Sequence, residues 1–341
     1  MAKVQSIKKT NSIALVGAET LLGKEIEEVL KDRLRNAVVN SFSASGEGNF
    51  GEAEGEAVYV EPLTADRIRG SRAVIVAGAR EGAQKAYDLA KPAGGDVAVI
   101  DCTGYLEDHP EIRIVSPLTA PAGASQGWLY EIAHPAASAL ALVLMRLTKY
   151  QALRQVVAHV FEPASERGRR GITELQKQTA SLLSFKPLDK EVFDAQVSFN
   201  LLSQYGEEAP TKLASVEQRI ARHLTTLLSR QTAKIPNPSL RVVHAPVFHG
   251  YSISLWVEFE TAANADAAGE ALASAQIEVR GAQDSAPDNV GSASQSGLIA
   301  GDIRVDENNP RALWIWIVGD NLRLTADAVS EMISNLNESS Q

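Results

Sequence analysis

Six histidines and one cysteine are the residues best suited to chemistry in this chain of 341 residues. His244 and His249 flank what reads as the turn of a hairpin in "HAPVFHGYS", and His134 stands in "WLYEIAHPAAS". His109, His159 and His223 are scattered, and a single histidine usually fills a structural role. Two or three converging would instead form a polar pocket able to move protons. No cysteine or histidine spacing matches structural zinc, so no metal site is expected. Ser138 and Ser165 are potential nucleophiles. Neither lies in a nucleophile elbow, and helix capping is the expected role for both. "ERGRRG" at 166–171 reads as a solvated basic face, with an anion-binding loop as the alternative.

Two strand-to-helix junctions position what chemistry there is. At the first, "IALVGAETLLGKEI", a strand meets a helix, which is the context of a dinucleotide loop. Gly17, Thr20, Leu21, Leu22 and Gly23 are its candidate cofactor-binding residues, and Thr20 is expected to crowd the pyrophosphate path. The second strand ends "NSFSAS", without the acid that holds a ribose 2′-hydroxyl or the arginine that holds a 2′-phosphate. Glu47 is the nearest charge and would repel a phosphate. NAD or NADP binding is therefore expected to be weak or absent. The second junction, "EIAHPAAS", presents free helix N–H groups to little beyond alanines.

Stepping outward along the chain, apolar runs at Ile13–Val16, Ala37–Phe42, Ala73–Ala77, Val97–Asp101, Ile112–Val115 and Trp128–Ile132 alternate with helical spacing such as Thr20–Arg35. Near-continuous apolar strands separated by helices imply a parallel sheet covered on both faces. "GEGNFGEAEGEA" reads as a solvated hairpin or loop. After residue 150, Arg154–Phe161, Leu240–Phe248 and Tyr251–Phe259 read as strands. Gly171–Leu183, Ala262–Ala273 and Leu322–Leu336 read as helices. The alternation of Ser252, Ser254 and Trp256 with Ile253, Leu255 and Val257 marks a half-buried antiparallel sheet. The expected fold is α/β. A Rossmann-like parallel-sheet domain spans 1–135 with the C-terminal helix 322–338. An α+β domain with a mostly antiparallel sheet spans 136–321.

Composition narrows the partners. A net charge of −9 argues against nucleic acid or an anionic membrane. The longest apolar run, Ala139 to Met145, is too short to cross a bilayer. The basic start precedes too short an apolar patch for a signal peptide. Cys102 has no partner for an internal disulfide, which fits a cytoplasmic location.

Five stretches, in order, resemble the aspartate-semialdehyde dehydrogenase family: "VGAETLLG", "VAVIDCTGYLED", "QVSFNLL", "HAPVFHGYS" and "WIWIVGDNLR". The resemblance implies a two-domain dimeric enzyme in which a cysteine thiolate attacks an aldehyde, a histidine moves a proton and NADP takes a hydride. Carried over residue by residue, Ala137 falls on the nucleophile and Tyr251 on the catalytic histidine. His134 and Ala136 fall on two asparagines. His244 falls on the substrate arginine, Glu107 on the phosphate arginine and Glu162 on the glutamine. Asn321 keeps its place beside the cofactor, while Leu324 and Thr325 depart from the pattern. No catalytic residue of the family survives. His134, Ser138, Glu162, His244, His249, Tyr251 and Glu107 remain as candidate pocket residues. The expectation is a homodimeric paralogue without that activity, binding a metabolite or a catalytic relative. The rival expectation is an NAD(P)-dependent oxidoreductase with a rebuilt site on another substrate.

Overall fold

The computed structural model describes residues 12–53, 56–119 and 127–338. The chain divides into two units, one of residues 1–132 with 328–341 and one of 133–327. No helix among the described residues is long and apolar enough to cross a membrane.

The described residues of unit one form eight strands: β1 (Ser12–Val16), β2 (Val38–Phe42), β3 (Asn49–Ala53), β4 (Glu56–Val60), β5 (Ala73–Val76), β6 (Ala98–Asp101), β7 (Arg113–Val115) and β8 (Leu129–Ile132). Six form one sheet in the order β2-β1-β5-β6-β8-β7, with every pair parallel. Strands β5, β6 and β8 are buried along their whole length. That is why they read as unbroken apolar runs rather than alternating ones. Helices α1 (Leu21–Arg33), α2 (Ala65–Arg69) and α3 (Arg80–Ala90) complete the α/β pattern. The glycine- and glutamate-rich stretch is the antiparallel hairpin β3–β4.

Unit two carries a second sheet: β9 (Leu153–Glu162), β10 (Ser239–His244), β11 (Tyr251–Phe259), β12 (Ile277–Val279), β13 (Leu298–Asp306) and β14 (Asn309–Gly319). Its order is β10-β9-β11-β14-β13-β12. The three central pairs are antiparallel, and β10 and β12 add in parallel at the two edges. The expected hairpin around "FHGY" is therefore absent: β10 and β11 do not pair but lie on opposite sides of β9. The connection 245–250 crosses the end of β9 instead. It is tied there by Ala245 N–H to Glu162 O, Ala164 N–H to Val247 O and Ser165 N–H to Phe248 O.

Helices α4 (Pro135–Leu147), α5 (Gly168–Leu183), α6 (Leu213–Leu228), α7 (Ala265–Leu272) and α8 (Asn321–Glu338) complete the chain. Helix α4 is apolar almost all round and correspondingly buried. It packs on α6 and α7, which pack in turn on β10 and β13. Strands β9, β11 and β14 bury one alternating set, including Val160, Leu255 and Ile315. The other set, with His159, Phe161, Trp256, Trp314 and Trp316, stays half-exposed. Trp256 faces Trp314 in register, and both indole N–H groups donate to Asp306 Oδ2, at 2.8 and 2.9 Å.

Candidate active site

In unit two, β9 and β10 end side by side, with Glu162 and His244 in register. Both side chains are fully buried. A short 3₁₀ turn, Ala164–Arg167, doubles back from β9 and brings Arg167 Nη2 to 2.5 Å from Glu162 Oε1. The Tyr205 hydroxyl donates to the same oxygen at 2.9 Å and lies 3.1 Å from His244 Nδ1. With the one hydroxyl proton given to Glu162, that contact assigns the Nδ1–H tautomer to His244. Phe193 closes the cluster, its ring 4.8 Å from the imidazole. Three buried atoms have no hydrogen-bond partner among the described residues: Glu162 Oε2, Arg167 Nε and His244 Nε2.

A second chain of hydrogen bonds begins at the start of α4. His134 is its N-cap, and Nδ1 accepts from Ala136 N–H at 3.3 Å, which leaves the proton on Nε2. Nε2 lies 3.4 Å from Tyr251 Oη and 3.8 Å from Glu166 Oε2. Glu166 also stands near the Tyr251 hydroxyl and acts on it electrostatically. Glu166 Oε1 accepts from Asn321 Nδ2 at 2.8 Å. Asn321 Oδ1 accepts from Ser165 Oγ and from Gly250 N–H, each at 3.1 Å. The His134 backbone N–H donates to His223 Nδ1 at 2.9 Å. His134 Nε2 thus contacts both Tyr251 and Glu166, and Glu166 passes the connection on to Asn321. Burial, reinforced by the positive charge of Arg219, holds His134 well below the usual imidazole range. Burial, reinforced by Glu166, pushes the Tyr251 phenol up.

The structure places the remaining candidates as follows. Ala137 is 0% exposed in the first turn of α4. Ser138 is buried behind it and does not cap the helix, since His134 takes that place; its hydroxyl reaches only the Ala133 carbonyl, at 3.5 Å. Ser165 is no cap either: it faces Asn321. His249 is half-buried, and its backbone carbonyl, not its ring, joins the network through Asn289 Nδ2 at 3.3 Å. Glu107 belongs to unit one, in a turn after β6. The "ERGRRG" run splits: Arg169 and Arg170 are exposed, but Arg167 is partly buried as the partner of Glu162. Arg167, Tyr205 and Glu166 carry the site's electrostatics without having been singled out as pocket residues. The one signal for Arg167 was a glutamate at a buried strand end, which needs a counter-charge close by.

Burial pushes the Glu162 carboxyl up to about 7 against the pull of Arg167. Burial also lowers His244 to about 4, with Arg167 adding to the effect. A raised carboxyl stabilises the fold below its unfolded value and loses that contribution as pH rises through about 7. The lowered histidine acts oppositely, losing its contribution as pH falls toward about 4. The two slopes offset one another in mildly acidic solution. Glu162→Gln removes only the first. Its stability relative to the unmodified protein is expected to rise by roughly 3 kcal/mol between pH 5 and 8. Denaturant titrations across that range measure it, and a constant difference would contradict the assignment.

The turn after β1 in unit one has its own geometry. Gly17 has φ +91, and a Cβ there would lie 2.6 Å from Gly78 Cα; a Cβ on Gly23 would lie 2.0 Å from Gly17 O. Thr20 is the N-cap of α1: Oγ1 accepts from Gly23 N–H at 2.9 Å and contacts Gly17 O and Ala77 O at 2.8 and 2.9 Å. The Thr20 hydroxyl is turned into the loop to cap the helix. Leu21 and Leu22 open the helix, half-buried. The bare glycine backbone fits a dinucleotide's phosphates.

A family model, the dimerisation domain of the semialdehyde dehydrogenases, matches residues 144–324, more than half of the chain. The chain belongs to the semialdehyde dehydrogenase family. It is 29% identical over 332 residues to a USG-1 protein homolog of Pseudomonas aeruginosa, covering 95% of this chain and 97% of the relative. It is 28% identical over 342 residues to the aspartate-semialdehyde dehydrogenase of Rickettsia bellii, covering 96% and 97%. The solved structure of a probable aspartate-semialdehyde dehydrogenase from Pseudomonas aeruginosa superposes with a TM-score of 0.80 at 27% identity, over 96% of this chain and 97% of that one. The Candida albicans aspartate-semialdehyde dehydrogenase, solved with NADP, shares the fold alone, with a TM-score of 0.66 at 14% identity. The semialdehyde dehydrogenase architecture thus extends over both units, and His134, Tyr251 and Asn321 form one network within the second of them.

Proposed function

We infer that this semialdehyde dehydrogenase homologue binds a ligand or partner without performing the family's thiol chemistry. The carrying observation is the first turn of α4. There the resemblance sets Ala137, a buried methyl, at the nucleophile's position, and covalent catalysis without a nucleophile has no route. Tyr251, which the resemblance sets at the position of the base, contacts His134 and is held above its ordinary value by burial, and a phenol above its usual value near 10 is a poor proton shuttle at neutral pH. His244, at the substrate arginine's position, is held neutral by burial, so it offers an anionic substrate no charge. The three unpartnered atoms of Glu162, Arg167 and His244 support a binding role, because a small polar molecule would satisfy them. A steady-state dehydrogenase assay tests the reading.

The same inference extends to assembly. The half-exposed sheet face with Trp256, Trp314 and Trp316 supports a symmetric homodimer closed over that face. Light scattering at micromolar concentration is expected to give twice the monomer mass of 36.5 kDa. A single 36.5 kDa species would overturn this part.

A further inference from the structure

In a Rossmann fold the end of the second strand meets the adenosine ribose. An acid there accepts from the 2′-hydroxyl of NAD, whereas a basic residue holds the 2′-phosphate of NADP. Strand β2 runs out into Ser43, Ala44, Ser45 and Gly46, with neither in that place. The structure supplies a carboxylate from the other side. Glu19, in the turn after β1, reaches across so that its Oε1 accepts the Ala44 N–H at 2.7 Å. Its Oε2 is buried and has no hydrogen-bond partner among the described residues.

The backbone at Gly78 and Gly82 packs closely on that of Ala44, whose N–H Glu19 holds. A Cβ on Gly78 would lie 2.6 Å from Ala44 Cα, and one on Gly82 would lie 2.2 Å from Ala44 O. The nearby cation Lys85 is already held, 2.5 Å from Glu47 Oε1 and 2.9 Å from Gly46 O. The end of β2 therefore offers two carboxylates, Glu19 and Glu47, and a lysine that neutralises one of them.

We propose that unit one takes NAD in preference to NADP, with Glu19 as the ribose-binding acid, reached from the first turn rather than from the second strand. A ribose hydroxyl supplies the donor that Glu19 Oε2 lacks. A 2′-phosphate supplies no donor and brings two negative charges against a carboxylate. The inference concerns unit one alone, and it stands whether or not unit two carries chemistry.

Calorimetric titration of the full chain with NAD and with NADP tests it. NAD is expected to bind with a Kd about tenfold or more below that of NADP, the scale of one charged hydrogen bond. Glu19→Gln keeps an acceptor for Ala44 and removes the charge, and it is expected to narrow the ratio to within about threefold. Raising the salt concentration should narrow the ratio of the unmodified protein as well, which provides a readout independent of the variant's folding. Equal or tighter binding of NADP, no binding of NAD at millimolar concentration, a ratio unchanged in Glu19→Gln, or one insensitive to salt would each overturn the proposal.

Discussion

Arg167→Ala is expected to lower the unfolding free energy of unit two by about 3–5 kcal/mol at pH 8, the cost of stranding a buried charge. Glu162 is fully buried, and its ionised form rests on Arg167, with one further bond from Tyr205. Glu166 stands nearby with the same sign and raises the Glu162 carboxyl further. Without the guanidinium the carboxyl has to take up a proton to stay inside. The loss should therefore shrink at pH 5, where it is protonated already. Combining Arg167→Ala with Glu162→Gln should recover a large part of the stability, because the two residues act as one pair. Tryptophan fluorescence reports the transition well, since Trp256, Trp314 and Trp316 all lie on the sheet of unit two. A loss below about 1 kcal/mol, the scale of an exposed ion pair, would show that the pair contributes little.

Ala137→Cys alone is expected to produce a reactive thiol and no dehydrogenase. Ala137 lies in the first turn of a thirteen-residue helix, where the helix dipole lowers a thiol's pKa. Labelling by a thiol reagent should therefore exceed that of the unmodified protein, whose one cysteine is Cys102. Turnover needs more than the thiol. Tyr251 keeps its proton, because burial holds its phenol above the ordinary value. His244 stays neutral, and by the resemblance Glu162 takes the place of a glutamine. Residues that act as a unit do not restore function one at a time. Turnover of aspartate semialdehyde clearly above the blank by this single variant would show that the pocket still recognises the family's substrate. The departure would then be confined to one residue.

Much of the fold is legible from periodicity alone. Tyr251–Phe259 is a strand with the bounds its alternation implies, and the buried parallel strands announce themselves as short apolar runs. Pairing is harder to read. The Gly250 turn looks like a hairpin, yet β9 lies between the two strands it joins, and local sequence does not encode which strand intervenes. Side-chain direction is equally hidden. The loop sequence does not show that the Thr20 hydroxyl turns to cap α1. Arg167 looks solvated beside Arg169 and Arg170 until the 3₁₀ turn folds it onto Glu162. Glu19 passes unnoticed because the acid that matters is usually sought at the end of the second strand, and here it arrives there from the first loop.

The most direct measurement on the central claim is a steady-state assay of the unmodified protein with aspartate semialdehyde and phosphate, run once with NAD and once with NADP, following reduced nicotinamide. The expected result is a rate equal to the protein-free blank with either dinucleotide, because the resemblance sets Ala137 where the family's thiol would attack the aldehyde. Saturable, phosphate-dependent reduction of either dinucleotide would contradict it and would mean that the buried network of Glu162, His244 and Tyr251 is a working catalytic site.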